Sequence, residues 1–161
     1  ALVVMEISVV QKLILERFLD VTLGIDIMYV NKIAVLVTIS RGIKFSTAET
    51  LKDRKHPTIM IAIRHVLALY AKRGFRVNMA HTDNEFEPMR ASLMDDKVNL
   101  NVVSNSEHVP EIERHIRTVK ERTRSTYNTV PFKKMPSRMI VEMVLSATFL
   151  AEHVSTQRRN L

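Results

Sequence analysis

The sequence predicts an α/β domain built on a mixed sheet, and three observations lead there. Residues 21 to 46 read as three short apolar runs separated by tight-turn dipeptides, the pattern of an antiparallel meander. A helical segment beginning near Pro57 and ending before Gly74 separates the third run from the fourth. It is long enough for a crossover, so the fourth strand can lie parallel to and beside the first. Strand and helix patterns then alternate before giving way to helices alone, as in a layered α/β fold.

Ahead of the first strand, Val3, Val10, Leu13, Ile14 and Phe18 recur at loosely helical spacing, so residues 1–20 are expected to form a helical lead-in. From Val21 the period becomes two. Leu23, Ile25, Ile27 and Tyr29 fall on one face, Gly24, Asp26, Met28 and Val30 on the other. Asn31-Lys32 offers a turn into a β-branched strand from Ile33 to Ile39. Arg41-Gly42 is the next turn, with a short third strand expected from Ile43 to Ser46. Ile59, Ile63, Val66, Leu67 and Tyr70 mark the crossover helix, closed by Lys72-Arg73-Gly74.

Phe75 to His81 returns to strand alternation, Met89 to Asp95 suggests a short helix, and Val98 to Val103 a fifth strand. Pro110 suits the first turn of a helix expected to reach about Arg124. After Pro131 and Pro136, a closing helix from Ser137 to His153 carries Met139, Ile140, Met143, Val144 and Ala147 on one face. The expected organisation is a lead-in at 1–20, a core at 21–126, and a C-terminal helix with a basic tail at 127–161.

At 161 residues the chain has the length of one domain with a normal core. The absence of cysteine excludes disulfides, cysteine zinc sites and thiol catalysis together. His56, His65, His108 and His153 have no zinc-ligand spacing. The apolar run Ala1 to Met5 soon meets Glu6, Lys12, Glu16 and Arg17, so no membrane or secretory segment is expected. The opening at Ala1 leads us to expect a piece of a longer chain. A net charge of +7 favours a polyanionic partner.

Acids carry the chemical signal. Asp26 interrupts Leu23-Gly24-Ile25-Asp26-Ile27-Met28, and an acid among strand aliphatics needs a partner or a cation. Asp83 falls just past the fourth strand, in His81-Thr82-Asp83-Asn84-Glu85-Phe86. If the fourth strand lies beside the first, Asp26 and Asp83 become neighbours at the ligand-holding end of a parallel pair. Glu111, in Val109-Pro110-Glu111, would add a third carboxylate from the first turn of a helix. Three carboxylates on rigid elements suit Mg²⁺ and phosphodiester chemistry. Glu107 and Glu113 compete for the third place. Glu113 lies about 200° around the helix from Glu111 and should face elsewhere, while Glu107 sits in a loop.

The order and context of these segments resemble the catalytic core of retroviral and retrotransposon integrases, most closely the Ty1/copia type. The resemblance spans roughly residues 21–126. Asp26 in Gly24-Ile25-Asp26-Ile27 matches the family's first-strand Asp. Asp83 in His81-Thr82-Asp83-Asn84-Glu85-Phe86 resembles its His/Arg-x-Asp-Asn-x-x-Phe segment, with Glu85 where Gly is usual and one residue rather than two before Phe86. Val109-Pro110-Glu111, with Arg114, Arg117 and Thr118 behind it, matches the step into the glutamate helix. The resemblance implies a ribonuclease-H-like fold, a five-stranded mixed sheet flanked by helices, and an Asp-Asp-Glu site for Mg²⁺ or Mn²⁺. It further implies DNA end processing and strand transfer, homo-oligomers, and work in the nucleus.

Behind the acids, Arg114, His115, Arg117, Thr118, Lys120 and Arg124 are the candidate DNA contacts. Arg114, His115 and Thr118 stand three, four and seven positions beyond Glu111, on or near its stripe. Lys133-Lys134, Arg138 and Arg158-Arg159 are weaker candidates, and a solvated charged face is the structural alternative. The functional alternative is a decayed, non-enzymatic nucleic-acid-binding relic of a mobile element.

Overall fold

Strand β1, Asp20–Val30, is the element on which the molecule is hung. The computed structural model describes residues 12–103 and 110–157, with side chains as far as Ala151. β1 pairs antiparallel with β2, Ile33–Ser40, on one side and parallel with β4, Arg76–Thr82, on the other. β3, Ser46–Leu51, and β5, Asn99–Val102, complete a sheet in the order β3-β2-β1-β4-β5. This is the mixed five-stranded sheet the sequence predicts, including the parallel pairing of the first and fourth strands.

The lead-in is helical over residues 12–18, which we label α1. Its Phe18 ring covers Gly42 so closely that a Cβ there would stand 2.6 Å from the ring. Val3 and Val10 lie outside the described residues. Asn31 and Lys32 form the β1–β2 turn in the left-handed region, at φ 48° and 66°. That is the two-residue geometry matching strand twist.

The third strand differs from expectation. Ile43 and Phe45 belong to the turn and pack against the core from below, and the strand begins at Ser46. The reason is local hydrogen bonding. The Ser40 amide donates to the Phe45 carbonyl at 2.8 Å and the Phe45 amide to Ser40 Oγ at 2.9 Å, closing a loop with Lys44 at φ 58°. An edge strand with only Ala48 and Leu51 as apolar residues gives little sequence signal.

Helix α2, His56–Lys72, makes the crossover and buries Ile59, Ile63, Val66 and Tyr70 on one face of the sheet. A 3₁₀ turn at Asn84–Met89 and α3, Arg90–Asp95, carry the chain from β4 to β5. α4, Pro110–Thr129, and α5, Ser137–Gln157, cover the other face. Both outrun their expected ends. Among the described residues no helix is long and apolar enough to cross a membrane.

Candidate active site

The parallel register of β1 and β4 sets the site. Gly24 is level with His81, the last pair of the parallel register, so Asp26 in β1 and Asp83 just past the end of β4 each follow it by two residues. Alternation puts Asp26 on the α4 face, in the row of Gly24 and Met28. The Ile27 amide donates to Asp26 Oδ1 at 2.7 Å. Asp83 caps the 3₁₀ turn, its Oδ1 accepting from the Glu85 amide at 3.0 Å. Glu85 in turn pairs with Arg54, whose guanidinium lies 5.5 Å from the centre of the Tyr29 ring. Glu85 is thus tied to the β3–α2 loop.

Both carboxyls are pushed above the ordinary range. Burial is the first cause for Asp26, with the charges of Asp83 and Glu113 adding to it, while the Ile27 hydrogen bond and Lys120 oppose it. Burial also dominates at Asp83, opposed by Arg54. Asp26 thus sits, half-buried, in the field of two further carboxylates, which a cation would relieve.

α4 crosses this face with Ile112 seated on Gly24. A Cβ on Gly24 would lie 3.3 Å from Ile112 Cβ, so the missing side chain is what lets the helix approach. Glu111 and Glu113 diverge from this contact. Glu111 turns to the β2–β3 turn, where Lys44 Nζ is 2.6 Å from Oε1 and Arg41 Nε 3.3 Å from Oε2. Burial works against its ionisation, but Lys44 and Arg41 together hold its carboxyl below the ordinary range. Glu113 faces Asp26 instead. With Asp26, Ile116, Arg117, Lys120, Glu121 and Arg124 it lines an open cleft of about 280 Å³. Sequence spacing correctly separated the two glutamates around the helix but chose the one that points away from the acids. Glu107 lies outside the described residues, as do His108 and Arg158-Arg159.

The candidate DNA contacts divide the same way. Arg117, Lys120 and Arg124 line the cleft. Arg114, His115 and Thr118 do not. His115 is buried against the sheet, only 9% exposed, with Nε2 lacking a hydrogen-bond partner and its pKa lowered to about 4 by burial and Arg122. It is a core residue, because positions 112, 115, 116, 119 and 123 form the buried stripe of α4. The Thr118 hydroxyl donates to the Arg114 carbonyl at 3.0 Å, along its own helix. A signal was present in the sequence. Arg117, Lys120 and Arg124 stand four, seven and eleven positions beyond Glu113, one stripe headed by that glutamate.

The donor chemistry of Asp26, Asp83 and Glu113, all carboxylate oxygens, suits a hard divalent cation. Among the described residues, no three His, Asp or Glu side chains are gathered closely enough to hold an ion as they stand.

No family model and no curated protein matches the chain by sequence. Solved structures do match in three dimensions, integrase catalytic cores among them. The HTLV-2 integrase catalytic core domain, solved in complex with magnesium in a trimeric form, superposes with a TM-score of 0.60 at 13% identity. That match covers 80% of this chain and 82% of the viral one. The BIV integrase catalytic core domain gives a TM-score of 0.56 at 16% identity, over 81% of this chain and 80% of that one. The chain has the ribonuclease-H-like fold of these cores.

Proposed function

We propose that this chain is the polynucleotidyl-transferase core of a mobile-element integrase of the Ty1/copia type, cutting and joining DNA with Mg²⁺ or Mn²⁺. The observation that carries the reading is Asp26 under the charges of Asp83, on the neighbouring strand's end, and of Glu113, which lines a cleft with it beside the basic stripe of α4. The integrase fold supports it. In this reading Asp26, Asp83 and Glu113 hold the metal, with Glu113 taking the place first expected of Glu111. When bound, a divalent ion would activate the attacking oxygen and stabilise the leaving oxygen of a phosphodiester. The two strand acids act from rigid backbone, which a cation intolerant of geometric error requires. Arg117, Lys120 and Arg124 neutralise the phosphates flanking the scissile bond and fix the strand along α4. Assembly as a homo-oligomer and work in the nucleus belong to the same reading.

The test is metal-dependent nicking of duplex DNA by the parent chain, by Asp26→Asn and by Glu113→Gln. We expect nicking in the parent and none in either variant, with both still folded. DNA affinity across a salt series accompanies it. Arg117→Ala should flatten the slope by roughly 0.9, one phosphate contact, whereas Arg114→Ala should leave it unchanged. Salt-dependent DNA binding without nicking by the parent would select the non-enzymatic relic.

A further inference from the structure

The end of the sheet away from the acids holds a cavity of about 360 Å³, where α1, the β2–β3 turn, the end of α2 and the approach to β4 meet. Four aromatic rings wall it, Phe18 of α1, Phe45 of the turn, Tyr70 of α2 and Phe75 behind Gly74, with Leu69 beside them. Asp20, at this end of β1, is six residues from Asp26, about 20 Å along an extended strand.

The walls are held in place by their own contacts. The Tyr70 ring stands edge-on to Phe45 and to Phe75, with centroids 5.6 and 6.4 Å apart. Its hydroxyl donates to the Phe45 carbonyl at 3.2 Å. α1 lies across them as a roof that touches down on two glycines. Phe18 covers Gly42, and Leu15 covers Gly74 at φ 85°, where a Cβ would lie 3.3 Å from Leu15 Cδ2. Protein interiors close most voids larger than a water molecule, yet these rings stand apart around a space within the roughly 300–1,000 Å³ of small-molecule sites. Water would gain little there, since an ordered water needs two to four polar partners and the Tyr70 hydroxyl is already engaged.

One charge borders this apolar space. The Arg73 guanidinium carbon lies 5.8 Å from the centre of the Phe45 ring, and Nη1 donates to the Leu69 carbonyl at a long 3.4 Å. Among the described residues no carboxylate pairs with it. Its remaining N–H donors form a planar fork that matches a carboxylate. Aromatic walls and a single guanidinium at the rim define an amphiphile with one negative end.

We propose that this cavity binds a small aromatic monocarboxylate, its ring body among Phe18, Phe45 and Phe75 and its carboxylate on Arg73. The site uses neither the acids nor α4, so it stands whether or not the chain cuts DNA.

The experiment titrates naphthalene carboxylate and the neutral naphthamide into the full chain by calorimetry, with the urea midpoint as a fold control. The carboxylate should bind about tenfold more tightly than the amide, the worth of a charge-assisted hydrogen bond. Arg73→Gln should erase that difference and leave the amide unchanged. Leu69→Trp, which fills the cavity, should lose both ligands. Gly42→Ala, whose methyl group displaces the Phe18 ring, should weaken both and serves if Leu69→Trp fails to fold. Equal affinity for the two ligands overturns the proposal, as does a parent that binds neither. Carboxylate binding that Arg73→Gln and the cavity variants leave unchanged is general attraction to a chain of net charge +7, and also overturns it. A parent that binds neither ligand but forms a dimer that Leu69→Trp breaks, seen by light scattering, would give the cavity to a second copy instead.

Discussion

The two faces of the sheet are built to different rules. The face under α2 is apolar at its centre, with Leu23, Ile25, Leu36, Ile59, Ile63, Tyr70 and Phe86 all at most 2% exposed, and its buried polar groups, at Thr38, Ser40 and Thr82, are hydroxyls. The face under α4 and α5 is smaller and aliphatic, resting on Met28, Val35, Val37, Ile112, Val119 and Val144. It also carries a half-buried carboxyl, Asp26, and a buried imidazole, His115, where the buried polar groups of the first face are hydroxyls. Each buried polar group without full compensation costs stability. The strong face therefore lets the chemical face carry acids.

Breaking the strong face should give the largest effect. Phe86 is fully buried in the turn directly after Asp83. Phe86→Ala should cost about 3–5 kcal/mol in urea unfolding. A loss below 1 kcal/mol would mean that the α2 face does not dominate stability.

The next effect sharpens the contrast from the other side. With its folded pKa lowered to about 4 against an ordinary 6.5, His115 binds its proton more weakly in the native state than in the unfolded one. Its contribution is present above the unfolded pKa and is lost as pH falls from 6.5 toward 4, up to about 3 kcal/mol in all. His115→Gln should flatten the unfolding free energy over that window. Asp26 and Asp83 act in the reverse sense. Their raised pKa values make the native state lose stability as pH climbs through the carboxylate range. A His115→Gln profile parallel to that of the parent would show that the histidine does not titrate in this way.

The smallest effect tests the notch. Gly24→Ala puts a methyl group 3.3 Å from Ile112 Cβ, so α4 must lift by a few tenths of an ångström. We expect a loss of about 1 kcal/mol. Amide exchange should quicken in the first turn of α4 and stay unchanged in α2. Equal quickening in both helices would dissolve the distinction between the faces.

Much of this architecture is legible in the chain. The period-two run around Asp26, the crossover helix ending at Gly74 and the strand before Asp83 together dictate the parallel pairing of β1 and β4, and with it the acid pair. The choice between Glu111 and Glu113 was harder because it depends on helical phase. Both are acids in the first turn, and Pro110 draws the eye to its neighbour. The partners of Glu111 lie on a hairpin turn far earlier in the sequence, so no local pattern could reveal those ion pairs. His115 was misread because a histidine counts as polar, although it falls in register with Ile112, Ile116 and Val119. The link from Arg54 to Glu85 has no sequence signature at all. It arises only when the β3–α2 loop and the β4 turn meet in space.

The sheet order has one more consequence, at its margins. Among the described residues β3 and β5 are the two edges of the sheet, where rows of amides and carbonyls offer a place for foreign strands to stack. β5 is four residues long and alternates exposed Asn99 and Asn101 with its apolar positions. β3 is six residues of mostly threonine, serine and glutamate. Short, polar borders of this kind are poor templates for edge-to-edge growth. A chain with so hydrophobic a centre thereby carries its own guard against fibrous aggregation.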